Sequence, residues 1–465
     1  MKRVLLLGLC VAVYALGAGP AIDPTAELLR ELIRVDTSNP PGRTAALAAL
    51  LVSKFRPLGI ETEIVATPSA GKVYFIARLK GDASKRPVLL AAHGDEVGVE
   101  RKQWTVDPFA GVVQNGYVLG RGAIDFKGGL AVFAEAVLRL AHKKTPLARD
   151  VILLSEPDEE GAGPTGTPWI AANHWDKIDC EFALNEGGWI IERPNGKVRY
   201  VAISTADKTS LSLILTARGV STHSSMPRPD NAIFALSRAL AKLSAWEPPP
   251  RLLASTRRFF STLAKTADPA EVRKYEAIAA SRDEASLTRA VRAVAGDPLL
   301  HAFLGDTLAP VIVQGGFRAN VIPSSAEANV NIRLLPGSSA EALRKQVERV
   351  IADPAIEVRL AGPHLNKPVP EPSPTNTDLF RALETAAKAV FPEAEVTPYL
   401  FQAGTDAYPW RLHGVPVYGI YPYPVDSEDL KRMHGNDERV KISSLAAGTE
   451  MIYRTLVAVA AKNGK

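Results

Sequence analysis

Apolar residues recur at every third or fourth position through PTAELLRELIRVDTS (residues 24–38) and TAALAALLVSKFRPLG (44–59). That spacing predicts two amphipathic helices, the second ending at Gly59. VYFIARL (73–79) and RPVLLAAHGD (86–95) read as strands, the second a buried run. DFKGGLAVFAEAVLRLAHKK (125–144) predicts a strong helix, and DVILLS (150–155) an apolar strand after it. Strand, helix and strand in this rhythm predict an α/β sheet with helices on both faces. Functional groups in such sheets gather beyond the carboxyl ends of the strands. His93, Asp95 and the acids of SEPDEEG fall at such ends.

The pattern changes near residue 207. TSLSLILTARG (209–219) alternates like a half-buried strand, and a helix is expected from about Asp230 to Ala245. After the break EPPP, residues 251–305 read as helical and polar. APVIVQGG (309–316) and SSAEANVNIRLLPG (324–337) follow as strands, then a helix in SAEALRKQVERVIAD (339–353). Without the polar helical stretch the order is β-α-β-β-α-β, the ferredoxin-like split unit. NKPVPEPSPTN (366–376) reads as a linker, and TDLFRALETAAKAVF and VPVYGIYPYP return to the α/β style. The expected organisation is therefore an α/β domain over 22–206 and 365–465. A smaller α+β domain over 207–364 is inserted in it and carries an extra segment, 246–306.

Composition narrows this little. The chain has 465 residues, enough for two cores, and a net charge of +5 with no basic run interleaved with aromatics, which argues against nucleic acid. The beginning matters more. MKRVLLLGLCVAVYALGAGPA has a basic head, a short apolar run and small residues, the pattern of a signal peptide over residues 1–21. The run is short for a membrane anchor, so export without stable membrane insertion is expected. Without that leader only Cys180 remains, so any metal ligands are His and carboxylate.

Several residues invite that reading. In HGD, His93 and Asp95 stand two apart, and on an extended chain face the same way. Asp125 follows a glycine-rich turn, and could equally be the N-cap of the next helix. Glu156, Asp158, Glu159 and Glu160 crowd into five residues, either a solvated loop or a cation site with a base beside a ligand. Glu186 precedes a Gly-Gly turn in NEGG, and His434 lies in HGNDERV. Singly each has an ordinary explanation. Together, two His and several carboxylates at strand ends of one layer suit two divalent cations sharing a bridging carboxylate. Metal charge would offset the repulsion among the acids, and the His ligands disfavour calcium.

With HGD, WTVDPFAG, GYVLGRGAIDFKGG, PDEEGAG, NEGG, GVSTHSSMPRPDNAI, QGGFRANVIPSSAEANVNIRLLPG, GTDA and HGNDERV in order, the chain resembles the M20 family of metallopeptidases and amidohydrolases. The resemblance implies a zinc-peptidase-type α/β/α catalytic domain and an inserted ferredoxin-like domain that serves as lid and dimerisation surface. It implies two Zn2+ per subunit, with Co2+ or Mn2+ as alternatives. His93, Asp125 and Glu186 would hold one ion, and Asp125, Glu160 and His434 the other. Asp95 would orient His93, Glu159 would be the general base, and His223 would stabilise the oxyanion, in many members from the partner subunit. Asn320, Arg333, Gly404 and Thr405 match substrate-contact positions, with Asp406 in the same loop; Arg318 has no clear counterpart. Two departures stand out: Glu96 and Gly98 replace apolar residues and proline, and segment 246–306 resembles larger carboxypeptidase S and fatty-acyl-amino-acid relatives. The implied activity is exported hydrolysis of the amide bond in N-acyl amino acids or short peptides. A biosynthetic-type deacylase and a non-catalytic binding protein on the same fold are the alternatives.

Overall fold

The structure, a computed structural model, describes residues 22–462 apart from 162, 363, 364, 366 and 367. The leader expected over residues 1–21 lies outside the described residues.

Every residue of the strands Val88–His93, Val151–Glu156 and Phe182–Asn185 is buried, so these strands need cover on both faces. They receive it. Leu90 and Leu153 enter one core with the helices Pro24–Ile33, Lys127–His142 and Ile442–Ala460, while Leu89 and Ile152 enter another with Ile170, Ile178 and Trp410. The sheet has ten strands. Its centre runs Val151–Glu156, Val88–His93, Phe182–Asn185 and Val417–Gly419, all parallel to one another. Four carboxyl ends therefore open side by side on one edge, the arrangement in which α/β sheets build sites.

A second sheet of four strands has its own core. Thr209–Arg218, Thr307–Gly315, Ser325–Leu334 and Ile356–Ala361 pair antiparallel in the spatial order second, third, first, fourth. Helices Ala232–Ser244 and Ala340–Ile351 complete the β-α-β-β-α-β connectivity expected from the sequence. Helix Ala254–Thr266, within segment 246–306, packs on the ten-stranded sheet instead. Its Phe259 meets Tyr399 edge-on at 5.1 Å and Tyr200 at 5.8 Å. Large aromatic faces on an otherwise polar stretch explain that placement.

Candidate metal centre

His93 ends its strand, Glu186 follows Phe182–Asn185, and the loop after Val151–Glu156 carries Glu159 and Glu160. Asp125 comes from the turn before helix Lys127–His142. Its alternative as the helix N-cap does not hold: Phe126 occupies the cap and no side chain caps that helix. The Asp125 carboxylate is used elsewhere. Oδ1 lies 3.1 Å from His93 Nε2, and Oδ2 lies 3.1 Å from His434 Nε2. Glu186 Oε2 is 3.3 Å from His93 Nε2, and Glu160 Oε1 is 3.0 Å from His434 Nε2. Two triads result, His93–Asp125–Glu186 and Asp125–Glu160–His434, each with its donor atoms within 4.8 Å of one another. His93, Glu159 and Glu160 form a third such group.

The charges fit cations. Burial, with the Glu186 charge next, pushes Glu159 well up, and burial pushes Glu186 up to about 8. Burial also acts on Asp125, but His434 and His93 outweigh it and hold that carboxyl well below the usual range. Hydrogen bonds to the Asp125 and Glu160 carboxylates raise His434 to about 10. Burial would lower His93, yet the Glu186 and Asp125 contacts leave it well above its usual value. Converging imidazole and carboxylate donors whose charges are uncompensated by one another are a donor set suited to divalent metal ions.

The four crowded acids part company. Only Glu159 and Glu160 join these groups. Asp158 turns away to Lys72 and to Thr165, whose hydroxyl donates at 2.6 Å. Glu156 points inward and both its carboxylate oxygens are buried without a hydrogen-bond partner; its own burial and the neighbouring Asp406 charge raise it well above the usual range, and burial lifts Asp406 to about 6. Two neighbouring carboxyls in one buried place disfavour each other's charge, so protonation relieves the crowding there. Metal charge is thus not the only answer to the crowding.

Asp95 also departs from expectation. His93 Nδ1 faces the Asp95 carbonyl at 2.9 Å, while the carboxylate is 3.8 Å away. That carboxylate accepts from Asn39 Nδ2 at 2.7 Å and from the backbone N–H groups of Glu159 and Glu160, each at 3.2 Å. The unusual Glu96 is answered by Lys127, which reaches its carboxylate at 2.6 Å with both side chains fully buried. Glu438 accepts from the N–H groups of Gly122, Ile124 and Asp125 and from Arg121, and Arg121 in turn donates to the Gly435 carbonyl at 2.8 Å.

The remaining candidates are not brought to the cluster. His223 is exposed, its Nδ1 against Ser225 Oγ at 2.8 Å, and the short strand it ends pairs with Val321–Ile322, next to Asn320. Arg318 and Asn320 are exposed in the same region. Arg333 is half-buried, opposite Ser210 and Thr307 across the four-stranded sheet, and donates to Asn331. Thr405 donates to Asp207 at 2.6 Å, and with Gly404 lines a cavity of about 60 Å³ beside Lys208 and Arg411. Sequence reasoning missed Asn39, Lys72, Glu438 and Tyr421. Glu438 stood inside a quoted motif, HGNDERV; the others carry no local signal.

The model of Peptidase family M20/M25/M40 matches residues 89–458. Human N-fatty-acyl-amino acid synthase/hydrolase PM20D1 is 27% identical over 442 residues, covering 92% of this chain and 86% of the relative. Probable carboxypeptidase S-like 2 of Dictyostelium discoideum is 30% identical over 389 residues, 81% of this chain and 72% of that one. Among solved structures, an M20 family metallo-carboxypeptidase from Sulfolobus solfataricus superposes with a TM-score of 0.69 at 18% identity, covering 94% of this chain and 99% of that one. The Bacillus subtilis YXEP protein, a dinuclear metal binding peptidase of the M20 family, gives 0.60 at 14% identity, with 94% and 97% covered. These two likenesses concern the fold. No helix among the described residues is long and apolar enough to cross a membrane.

Proposed function

Because the chain belongs to peptidase family M20/M25/M40 and is a hydrolytic enzyme, we propose that it cleaves the amide bond of N-acyl amino acids or short peptides at a two-zinc centre. The observation that carries this reading is Asp125, whose two oxygens are divided between the two ligand triads. His93, Asp125 and Glu186 would hold one ion, and Asp125, Glu160 and His434 the other. Bound there, two ions supply Lewis acidity and lower the pKa of water enough for hydroxide to form near neutrality. Glu159 does the proton work. Its carboxylate takes a proton from the attacking water and returns it to the amine nitrogen as the C–N bond breaks. Asp95 keeps Glu159 and Glu160 in place through their backbone N–H groups. The substrate chemistry rests on relatives named for N-fatty-acyl amino acids and carboxypeptidase activity. The leader pattern supports action outside the cytoplasm.

The same reading includes a homodimer through the smaller sheet. Thr307–Gly315 is one of its two edge strands, and Val311, Ile312 and Val313 are 59%, 50% and 61% exposed. Phe234, on the helix beside that strand, is 61% exposed. An open apolar edge is a template for pairing with a second copy. Exposed His223 would then serve the partner's centre as oxyanion donor, with Asn320 and Arg333 as substrate contacts.

Release of free amine from a panel of N-acyl amino acids and dipeptides by the zinc-loaded protein tests the activity, with a chelator-treated sample alongside. Release that the chelator abolishes is expected. Release that survives complete metal removal would overturn the two-metal reading.

A further inference from the structure

Tyr421 is the residue of the centre that the proposed chemistry leaves unused. Its side chain is buried, and its hydroxyl lies 3.0 Å from Asp125 Oδ1 and 3.2 Å from Glu186 Oε2. Those are the same two oxygens that face His93 Nε2 at 3.1 and 3.3 Å. Neither Glu160 nor His434 is hydrogen-bonded to the phenol among the described contacts.

The backbone and the ring both hold it there. The chain beyond strand Val417–Gly419 continues beside the Glu186 turn: Ile420 N–H donates to Asn185 at 2.8 Å and Tyr421 N–H to Gly188 at 2.5 Å. Gly188 has no room for a side chain, since a Cβ would stand 2.2 Å from the Ala202 carbonyl oxygen. The Tyr421 ring stacks on Trp189 at 4.0 Å and 5°, on the segment bearing Glu186. It meets Phe126 edge-on at 5.1 Å and 84°, on the segment bearing Asp125. The ring is a wedge between two ligand-bearing segments, with its hydroxyl on both carboxylates.

We propose that Tyr421 is a positioning residue for one of the two metal sites, its single O–H shared between Asp125 Oδ1 and Glu186 Oε2 and holding the carboxylate it donates to toward His93. Donors that fix carboxylate ligands in this way tune metal affinity. The inference rests on the two-metal reading. It adds an asymmetry: the His93 site depends on the phenol, and the His434 site, served by the other Asp125 oxygen, does not.

The test is Co2+ binding to metal-free protein, followed by calorimetry and by the visible absorption of bound cobalt, with Tyr421→Phe against wild type. Phenylalanine keeps the ring on Trp189 and Phe126, and circular dichroism of the metal-free variant checks the fold. We expect one of two binding steps to weaken about 10- to 100-fold and its cobalt spectrum to change, with the other step unmoved. The same loss should persist in His434→Ala and vanish in His93→Ala, which lacks the affected site. Equal weakening of both steps, or no weakening, overturns the asymmetry. Wild-type protein that binds no pair of ions overturns the two-metal reading and this inference with it, whereas normal wild-type binding with an unmoved His93 site in the variant overturns this inference alone.

Discussion

His93 is held by the backbone of Asp95, its Nδ1 2.9 Å from the Asp95 carbonyl, and the Asp95 carboxylate is free to hold something else. What it holds is the Glu159–Glu160 loop and Asn39. Asp95→Asn leaves the carbonyl in place but turns an NH2 toward one or more of those N–H donors. A buried donor facing a donor costs about 1–3 kcal/mol. We therefore expect kcat to fall about 10- to 100-fold and the ion of the His434 site to bind more weakly, with that of the His93 site retained. Metal stoichiometry measured beside kcat decides it: loss of the ion of the His93 site alone would return Asp95 to the role of His93 orienter.

Glu159→Gln removes the proton acceptor while keeping the shape of the side chain. With both ions bound, kcat should drop by about 10²- to 10⁴-fold and the metal content should stay at the wild-type level. Turnover unchanged in that variant would remove Glu159 from the base role.

Glu438 and Arg121 join the two loops that carry Asp125 and His434. Glu438 is fully buried and gathers three backbone N–H groups and the Arg121 guanidinium. Glu438→Ala leaves a buried cation unpaired, a loss of about 3–5 kcal/mol in comparable pairs. A chemical-denaturation curve should show that loss, and metal titration should show both sites impaired, because Asp125 belongs to both.

Metal uptake should release protons. In the metal-free site burial lifts Glu186 to about 8, and its ion pairs lift His434 to about 10, so both carry a proton at neutral pH. A bound ion needs both deprotonated. Affinity should therefore rise with pH, steeply up to about 8 and with a shallower slope toward about 10. Titration calorimetry in buffers of different ionisation enthalpy counts the protons directly; uptake with none released at pH 7 would contradict this proton inventory.

How much of this was legible in the sequence follows from where each partner sits along the chain. Burial on both faces of Val88–His93 and Val151–Glu156 was readable because it depends only on which residues are apolar. The carboxyl ends of those strands then marked His93, Glu159 and Glu160. Asp125 remained ambiguous because a cap and a ligand ask for the same residue type; Phe126 at the cap and the 3.1 Å distances from Asp125 to two imidazoles decide between them. Asn39 and Tyr421 were not readable. Each acts on residues far along the chain, Tyr421 on Asp125 across 296 positions, and nothing local distinguishes a tyrosine in an apolar run from an ordinary core residue. The fate of Asp158 turned on Lys72, another distant partner. Helix Ala254–Thr266 chose the large sheet through Phe259, which a polar average conceals.

The position of His223 gives the last prediction. It is exposed on the smaller sheet's side and bonded to Ser225, not to the cluster. If it completes the partner's centre, Glu159→Gln and His223→Ala should each be nearly inactive alone and active together. In a mixed dimer the His223→Ala subunit keeps its base and borrows His223 from the other. Random exchange in a two-fold dimer gives half mixed dimers with one working site each, about a quarter of the wild-type rate. Ile312→Lys places a charge on the exposed edge strand and should yield monomer by sedimentation, with metal retained and activity lost. Activity in the mixture no greater than the two variants measured separately, while sedimentation shows dimers, would place His223 at its own subunit's centre or outside the reaction.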